Sequence, residues 1–348
     1  MHILVITPGF PKNIDDTDCI PPMQIFFKNF IKTFSDIKIS VISIHYPYTS
    51  STYIWNGINV YSCGGSNKKL PSRLFYWIKV VQQSLKINKN LKVNLIHSFW
   101  LGEAAMLGDI IRRFLKVKHI NTMMGQDALE SNKYLKYIPL KNIRRIALSE
   151  FQSKKFIRST GLNPDGIIPW GIDKLNIKGE FRSIDVIGVG SILPVKNFDL
   201  FVDIIKSLTI DFPNLKSVII GEGTEREKIE NKIKELNLVN TIKLTGHLRY
   251  EKVFEFMQKS KILLHTSNYE SYGFVIAEAL ASGCYVISRE VGCVKEEKKL
   301  FVAETVISFA QKIKSVLSSE LEFSPIILHP SKLTVESYYK LYSDTFKH

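Results

Sequence analysis

Residues 182–223 read RSIDVIGVGSILPVKNFDLFVDIIKSLTIDFPNLKSVIIGEG. An apolar run closing on Gly188-Val189-Gly190 leads into a helix-length segment, and a second apolar run then closes on Gly221-Glu222-Gly223. Strands that are apolar throughout are buried on both faces, and a helix between two of them is the crossover that a parallel pair requires. The scheme continues downstream in TIKLTG, KILLHTS and CYVISRE, and upstream in HILVIT, IKISVISI, VNLIHSF, HINTMM and IRRIALS. Two doubly wound α/β domains in tandem are the expected architecture, and 348 residues are enough for two cores. Periodicity breaks at IIPWGIDKLN, around Pro169 and Gly171. The expected domains are therefore residues 1–168 and 169–325, with 326–348 forming an amphipathic terminal helix through Leu333, Tyr338, Tyr339, Leu341 and Tyr342.

Composition narrows the class. MHILVITPGF has no basic stretch ahead of its apolar run and reads as a first strand and turn, not a signal peptide. No stretch reaches the ~18 unbroken apolar residues of a membrane span. The four cysteines, Cys19, Cys63, Cys284 and Cys293, show neither CxxC spacing nor a histidine partner, so the expectation is a reducing cytoplasm with no metal site or disulfide framework. Net charge is +14, and it is unevenly spread. Residues 1–168 carry 23 Lys and Arg against 10 Asp and Glu, whereas residues 169–348 carry 24 against 23. Because both halves share one proteome, the excess in the first half points to an anionic partner there.

Several chemistries find little footing. Gly188-Val189-Gly190-Ser191 and Gly221-Glu222-Gly223-Thr224 each lack the third glycine of a dinucleotide fingerprint. Both still stand at the carboxyl ends of apolar strands, where they serve as tight turns or as ligand loops. Asp16-Thr17-Asp18 matches a metal-binding DXD pattern, but in a polar loop before Pro21-Pro22 it reads as a solvated turn. No G-x-S-x-G elbow supports a serine nucleophile.

The segment NYESYGFVIAEALASG, residues 268–283, is more informative. A helix starting near Tyr272 or Gly273 directs unpaired N–H groups and the positive end of its dipole at whatever lies ahead, which suits a phosphate. Gly273 lets a ligand approach the backbone. Glu270 precedes that anion site and Glu278 lies beyond it, in surroundings too apolar for a solvated face. A ligand with phosphates at its centre and hydroxyl-bearing groups at both ends meets all three demands. A nucleotide diphospho-sugar is such a ligand.

These residues resemble a known family. Glu270-Ser271-Tyr272-Gly273, Glu278-Ala279 and Ala281-Ser282-Gly283-Cys284 resemble the acidic-pair motif of the retaining glycosyltransferases of family four, which have the GT-B fold. GVGSILPVKNFDLFVDII, VIIGEGTEREKIENKIKELNL and IKLTGHLRYEKVFEFMQKSKILLHTS continue the match in register, and LIHSFWLGEAA, TMMGQDAL and IALSEFQSKKF match more loosely. The resemblance implies two Rossmann-like domains facing across a cleft, with the terminal helix returning to the first. It implies ribose binding by Glu278. Glu270, with the backbone of Tyr272, Gly273 and Phe274, would hold the transferred sugar and adjoining phosphate, and Lys196 would stabilise charge on the leaving pyrophosphate. Gly246 and His247 would border the base, Gly9 and Phe10 would close over the phosphates, and Asp127 would face the acceptor. The family transfers a hexose with retention and without a bound metal. Departures accompany the match. Ser191 stands where arginine is usual, leaving Arg289 as a candidate second base; Met124 replaces a histidine, and Cys293 a glycine. A noncatalytic nucleotide-sugar or glycan-binding relative, or a GT-B epimerase or hydrolase, stays open at this stage.

In GT-B enzymes the first domain supplies most of the acceptor site. Its charge here leads to the expectation of an anionic glycan or lipid-linked acceptor, with no nucleic-acid partner. PSRLFYWIKVVQQSLK places Phe75, Tyr76 and Trp77 between Arg73 and Lys79, and IRRFLKVK and SKKFIR again mix bases with aromatics. Such helices can rest on an anionic leaflet at ~1 kcal/mol per base, or can turn their aromatics into the core.

Overall fold

The structure is a computed structural model and describes residues 1–66, 71–175 and 181–347. It divides into two compact units, one formed by Met1–Gly171 with Ser331–His348 and the other by Ile172–Pro330. The first unit is built on β1 (His2–Gly9), β2 (Lys38–Tyr46), β3 (Ser51–Trp55), β4 (Ile58–Ser62), β5 (Leu95–Phe99), β6 (Lys118–Thr122), β7 (Arg144–Ala147) and β8 (Gly166–Ile167). Across the sheet they run β3-β4-β2-β1-β5-β6-β7-β8, parallel except for the β3–β4 hairpin. Helices α1 (Pro21–Thr33), α2 (Ser72–Asn90), α3 (Glu103–Leu115) and α4 (Glu150–Thr160) make the crossovers. Leu4, Ile6, Ile42, Ile44 and Ile96 pack on one side against Val80 of α2 and Leu107 and Ile111 of α3.

The second unit follows the same logic with β9 (Ile184–Val189), β10 (Ser217–Ile220), β11 (Ile242–Leu244), β12 (Ser260–His265), β13 (Tyr285–Ser288) and β14 (Leu300–Val302). Their order is β11-β10-β9-β12-β13-β14, and every pair is parallel. Successive strand residues face opposite sides. Ile262 and Leu264 therefore meet α5 (Phe198–Leu208) and α9 (Val306–Leu317), while Leu263 meets α7 (Tyr250–Gln258) and α8 (Phe274–Ala281). Helix α6 (Arg226–Glu235) joins β10 to β11. Burial on both faces is why these strands read as unbroken apolar runs.

The last helix, α10 (Ser331–Lys347), belongs to the first unit. Tyr338 and Tyr342 are buried against Phe26 and Phe30 of α1, the Tyr342 hydroxyl lies 2.7 Å from His97 Nδ1, and Tyr338 and Thr122 share a hydroxyl bond of 2.9 Å. The expected apolar stripe is narrower than the sequence suggests. Leu333 is 46% exposed, and Tyr339 lies at the margin, stacked on Phe34 at 4.0 Å.

Strand order positions the site. In the second unit the chain moves outward from β9 to β11 and then returns to the other side of β9 with β12. At such a reversal the loops leaving the two central strands diverge, and open α/β sheets bind ligands in the crevice they leave. The loops in question follow Val189 and His265.

Candidate active site

Three glycine turns close the carboxyl edge of the second sheet. Gly190 has φ +151° and Gly221 φ +150°, and a Cβ on Gly221 would stand 1.9 Å from the Gly190 carbonyl oxygen. Gly190 N–H donates to Ile220 O at 3.0 Å, Ile192 N–H to Glu222 O at 2.8 Å, and Gly221 N–H to Gly246 O at 3.0 Å. The two glycine fragments are thus backbone-on-backbone contacts, and the absent third glycine has no counterpart in this packing. Gly246, also left-handed at φ +78°, is buried, whereas Ser191 and His247 are exposed.

The diverging loops are stitched to each other. Asn268 N–H donates to Val195 O at 2.8 Å and Thr266 Oγ1 to Lys196 O at 3.0 Å. As a result Lys196 Nζ lies 2.5 Å from Glu270 Oε1, although 73 residues separate them in the chain. His265 Nε2 reaches the same oxygen at 3.1 Å, with its Nδ1 2.9 Å from Ser288 Oγ. Burial pushes the Glu270 carboxyl up, but Lys196 and His265 outweigh it and hold the group down at about 2. Glu270 is a fixed negative charge.

Glu278 meets the opposite conditions. Gly273, at φ +82°, ends the loop as the N-cap of α8 and offers no side-chain oxygen to the first N–H groups. Glu278 is the fifth residue of that helix, about 6 Å along its axis from Phe274. Its side chain is buried, with the Tyr250 hydroxyl donating to Oε1 at 2.7 Å. Burial raises the carboxyl to about 7, and the Tyr250 bond only partly opposes it. Tyr272 is buried below the loop, where its carbonyl accepts from Cys293 N–H at 2.7 Å. Gly292, at φ +60°, takes the left-handed position, and a Cβ there would stand 2.3 Å from the Tyr272 oxygen. Cys293 therefore fits where a glycine is usual.

Residues 174–325 match the family model described as glycosyl transferases group 1. That stretch, a little under half of the chain, is a glycosyltransferase domain of the group 1 type. It is 26% identical to an uncharacterized glycosyltransferase of Methanocaldococcus jannaschii over 78% of this chain and 75% of that one. It is 26% identical to the gpi3 component of the Schizosaccharomyces pombe phosphatidylinositol N-acetylglucosaminyltransferase, over 49% of this chain and 39% of the yeast protein. Among solved structures, sucrose-phosphate synthase from Thermosynechococcus elongatus aligns over 100% of this chain and 99% of its own with a TM-score of 0.76 at 14% identity. Anabaena HepE in complex with UDP and glucose aligns over 100% and 99% with a TM-score of 0.66 at 15% identity. These likenesses show that the chain has the GT-B fold.

The remaining expected residues divide by unit. Lys196, Glu270, Tyr272, Gly273, Phe274 and Glu278, with Ser191, Gly246 and His247, all belong to loops or helix starts at the carboxyl edge of the second sheet. Arg289 follows β13, where Nε lies 2.8 Å from Glu304 and Nη1 contacts Asn268, so it is already committed within that edge. Gly9, Phe10 and Asp127 belong to the first unit and do structural work there. Phe10 is a core residue: its ring is fully buried edge-on to Phe27 and Trp55, and its N–H donates to Tyr46 O at 3.0 Å. Gly9 is buried with it. Asp127 accepts from Leu101 N–H and Gly125 N–H at 2.6 Å each and from Met124 N–H at 3.1 Å; burial lifts its carboxyl above the ordinary aspartate value, and these donors oppose the lift. Asp16 is likewise held, by Lys12 N–H at 3.0 Å and the Tyr46 hydroxyl at 2.6 Å.

The sequence reading missed His265 and Tyr250. His265 ends an apolar strand at the edge where ligands bind, and that position was a usable signal. For Tyr250, one residue in LRYEKV, no local pattern offered one. In the first unit the aromatic cluster of α2 divides: Trp77 Nε1 donates to Glu103, which Arg73 and His45 also hold at 2.6 and 2.9 Å, whereas Phe75 is 66% exposed.

Proposed function

We propose that the protein is a retaining family-four glycosyltransferase, moving a hexose from a nucleotide diphospho-sugar to a glycan or lipid-linked acceptor without a bound metal, in cell-surface polysaccharide or glycolipid synthesis. The observation that carries this reading is the meeting of Lys196, Glu270 and His265 at the strand-order reversal, with the uncapped start of α8 and Glu278 beside it. The α8 N–H groups and Lys196 take the diphosphate. Glu270, ionised throughout the physiological range, accepts hydrogen bonds from hexose hydroxyls, and Glu278 takes the ribose diol. As the bond from the anomeric carbon to the phosphate oxygen breaks, negative charge accumulates between Lys196 and the helix start, where preorganised donors stabilise it most. Ser191 adds no charge, so the helix start holds more of the diphosphate.

Asp127 enters as the residue that shapes the first unit's acceptor-side loop through the backbone of Leu101, Met124 and Gly125. A peripheral contact with an anionic membrane surface, at the inner face of the cytoplasmic membrane, is supported by α2, where Leu74, Phe75, Ile78 and Leu85 are exposed along one side. No described helix is long and apolar enough to cross a membrane.

HepE is bound to UDP and glucose, and the yeast relative is named for N-acetylglucosamine transfer, so UDP-glucose and UDP-N-acetylglucosamine head the donors to test. Calorimetric titration of both, followed by mass analysis of products with glycan and lipid-linked acceptors, tests the reading. Binding with acceptor-dependent transfer supports it. Binding without any turnover would mark a noncatalytic relative, and donor isomerised or hydrolysed without acceptor an epimerase or hydrolase.

A further inference from the structure

The amino-terminal edge of the first unit's sheet, opposite the edge that carries Gly9 and Asp127, is concave and basic. A hollow of about 780 Å³ is bounded by Lys92 ahead of β5 and by Lys116 and Lys118 at the start of β6. Arg112, Lys118 and Thr345 are shared with a neighbouring hollow of about 590 Å³, which adds Lys141 and Arg144. A third, about 590 Å³, begins at Leu91 and reaches Lys28, Lys32 and Lys38 at the start of β2. Strands lie ~4.8 Å apart, so the six strand starts from β4 to β7 span about 24 Å.

Few carboxylates answer this charge. Asp165 and Asp344 line the hollow that holds Lys141 and Arg144, and no carboxylate lines the other two. Asp165 is taken by Arg145 at 2.8 Å. Arg112 is oriented by Asp109 at 2.6 Å and Arg144 by Thr345 Oγ1 at 2.7 Å, which makes a half-buried, fixed floor. On the rim, Lys92, Lys116, Lys118 and Lys141 are exposed and have no ion-pair partner among the described residues. His119 adds no charge, because burial holds its ring down at about 3.

We infer that this edge is a binding site for a linear polyanion of the acidic-glycan type, separate from the donor loops. A recessed row of bases matches charges repeated along a chain, and a planar lipid surface would meet the rim lysines but not the floor. Among the described lining residues Phe346 alone exposes an aromatic face, His2 and His119 being buried, so the row of aromatics on which successive bases of a single-stranded nucleic acid stack is missing. The choice of a glycan over other polyanions rests on the glycosyl-transfer reading. Held here, an acceptor polymer presents its end at raised effective concentration.

The test is fluorescence anisotropy of the full chain with a labelled oligogalacturonate, across a salt series, for the wild type and for Lys118→Glu/Lys141→Glu. The expected result is salt-dependent binding that weakens tenfold or more in the variant, while UDP affinity by calorimetry is unchanged. A second pair, Lys92→Ala/Lys116→Ala, carries the test should the first variant misfold. Equal oligogalacturonate binding by wild type and variants overturns the site. Displacement by free galacturonate or inorganic phosphate at equal concentration would reduce it to a single-anion site and overturn the polymer. An oligonucleotide or anionic vesicles bound as tightly, and lost by the same factor, would overturn the glycan. Absence of UDP binding with the oligogalacturonate result intact would refute the donor reading and leave this one standing.

Discussion

Glu270 and Glu278 share one short segment and differ in almost every physical respect. Glu270 lies between Lys196 at 2.5 Å and His265 at 3.1 Å, and its carboxyl is held at about 2. Glu278 is buried, with the neutral Tyr250 hydroxyl as its side-chain donor among the described residues, and burial raises it to about 7. One carboxylate is charged before any ligand arrives; the other stands near half ionisation. A ligand that supplies hydroxyl donors to Glu278 stabilises its charged form, so ligand binding and proton release are linked there and not at Glu270.

Removing the fixed charge gives the largest effect. Glu270→Gln should lower kcat by about two to three decades, the scale on which a charge-orienting group in a preorganised site acts, as measured by steady-state transfer at saturating donor. A kcat within a factor of three of wild type would put Glu270 outside the sugar subsite.

Stability should separate the two residues by sign. The native Glu278 takes up a proton between pH 4.5 and about 7 that the unfolded chain has already lost, so its stabilising contribution is complete below 4.5 and disappears as pH rises through 7. The shift corresponds to about 3 kcal/mol. Glu270 behaves in reverse: its contribution is present above 4.5 and is lost as pH falls toward 2. Denaturant unfolding from pH 4 to 8 should therefore show a downward slope in the wild type that Glu278→Gln flattens and Glu270→Gln retains. A slope shared by all three proteins would remove the contrast.

Smaller changes sharpen it. Glu278→Ala should weaken the nucleotide donor by about one to two decades, since a charge-assisted hydrogen bond contributes roughly 1.5–3 kcal/mol. Tyr250→Phe takes away the one donor opposing the upward shift of Glu278, and should cost a fewfold of affinity at pH 7 while moving the pH midpoint of donor binding upward. Calorimetry across pH reads both.

Much of the fold was legible because the strands are buried on both faces and sequence carries that as unbroken apolar runs, as in SKILLH at Ser260–His265. The terminal helix was legible as a helix, but Leu333 and Tyr339 show that apolar spacing alone does not say which residues a helix buries. The acidic pair was legible from its own segment. Its partners were legible unevenly: Lys196 came only through the family resemblance, because it reaches Glu270 across the adjacency of β9 and β12; His265, five residues before Glu270, had its strand-end position as a signal; and Tyr250 of α7 had none. Phe10 shows the converse. A residue next to a strand-end glycine looked available to a ligand, yet the fold spends its ring on Trp55 and its N–H on Tyr46.

The central claim is that the two glutamates serve different parts of one donor. Titration of UDP, which lacks the sugar, into the wild type, Glu270→Gln and Glu278→Ala tests it most directly. Glu278→Ala should lose UDP affinity by about tenfold or more, whereas Glu270→Gln should keep or gain affinity because Lys196 is released to the diphosphate. Equal losses in both variants, or no loss in Glu278→Ala, would contradict it.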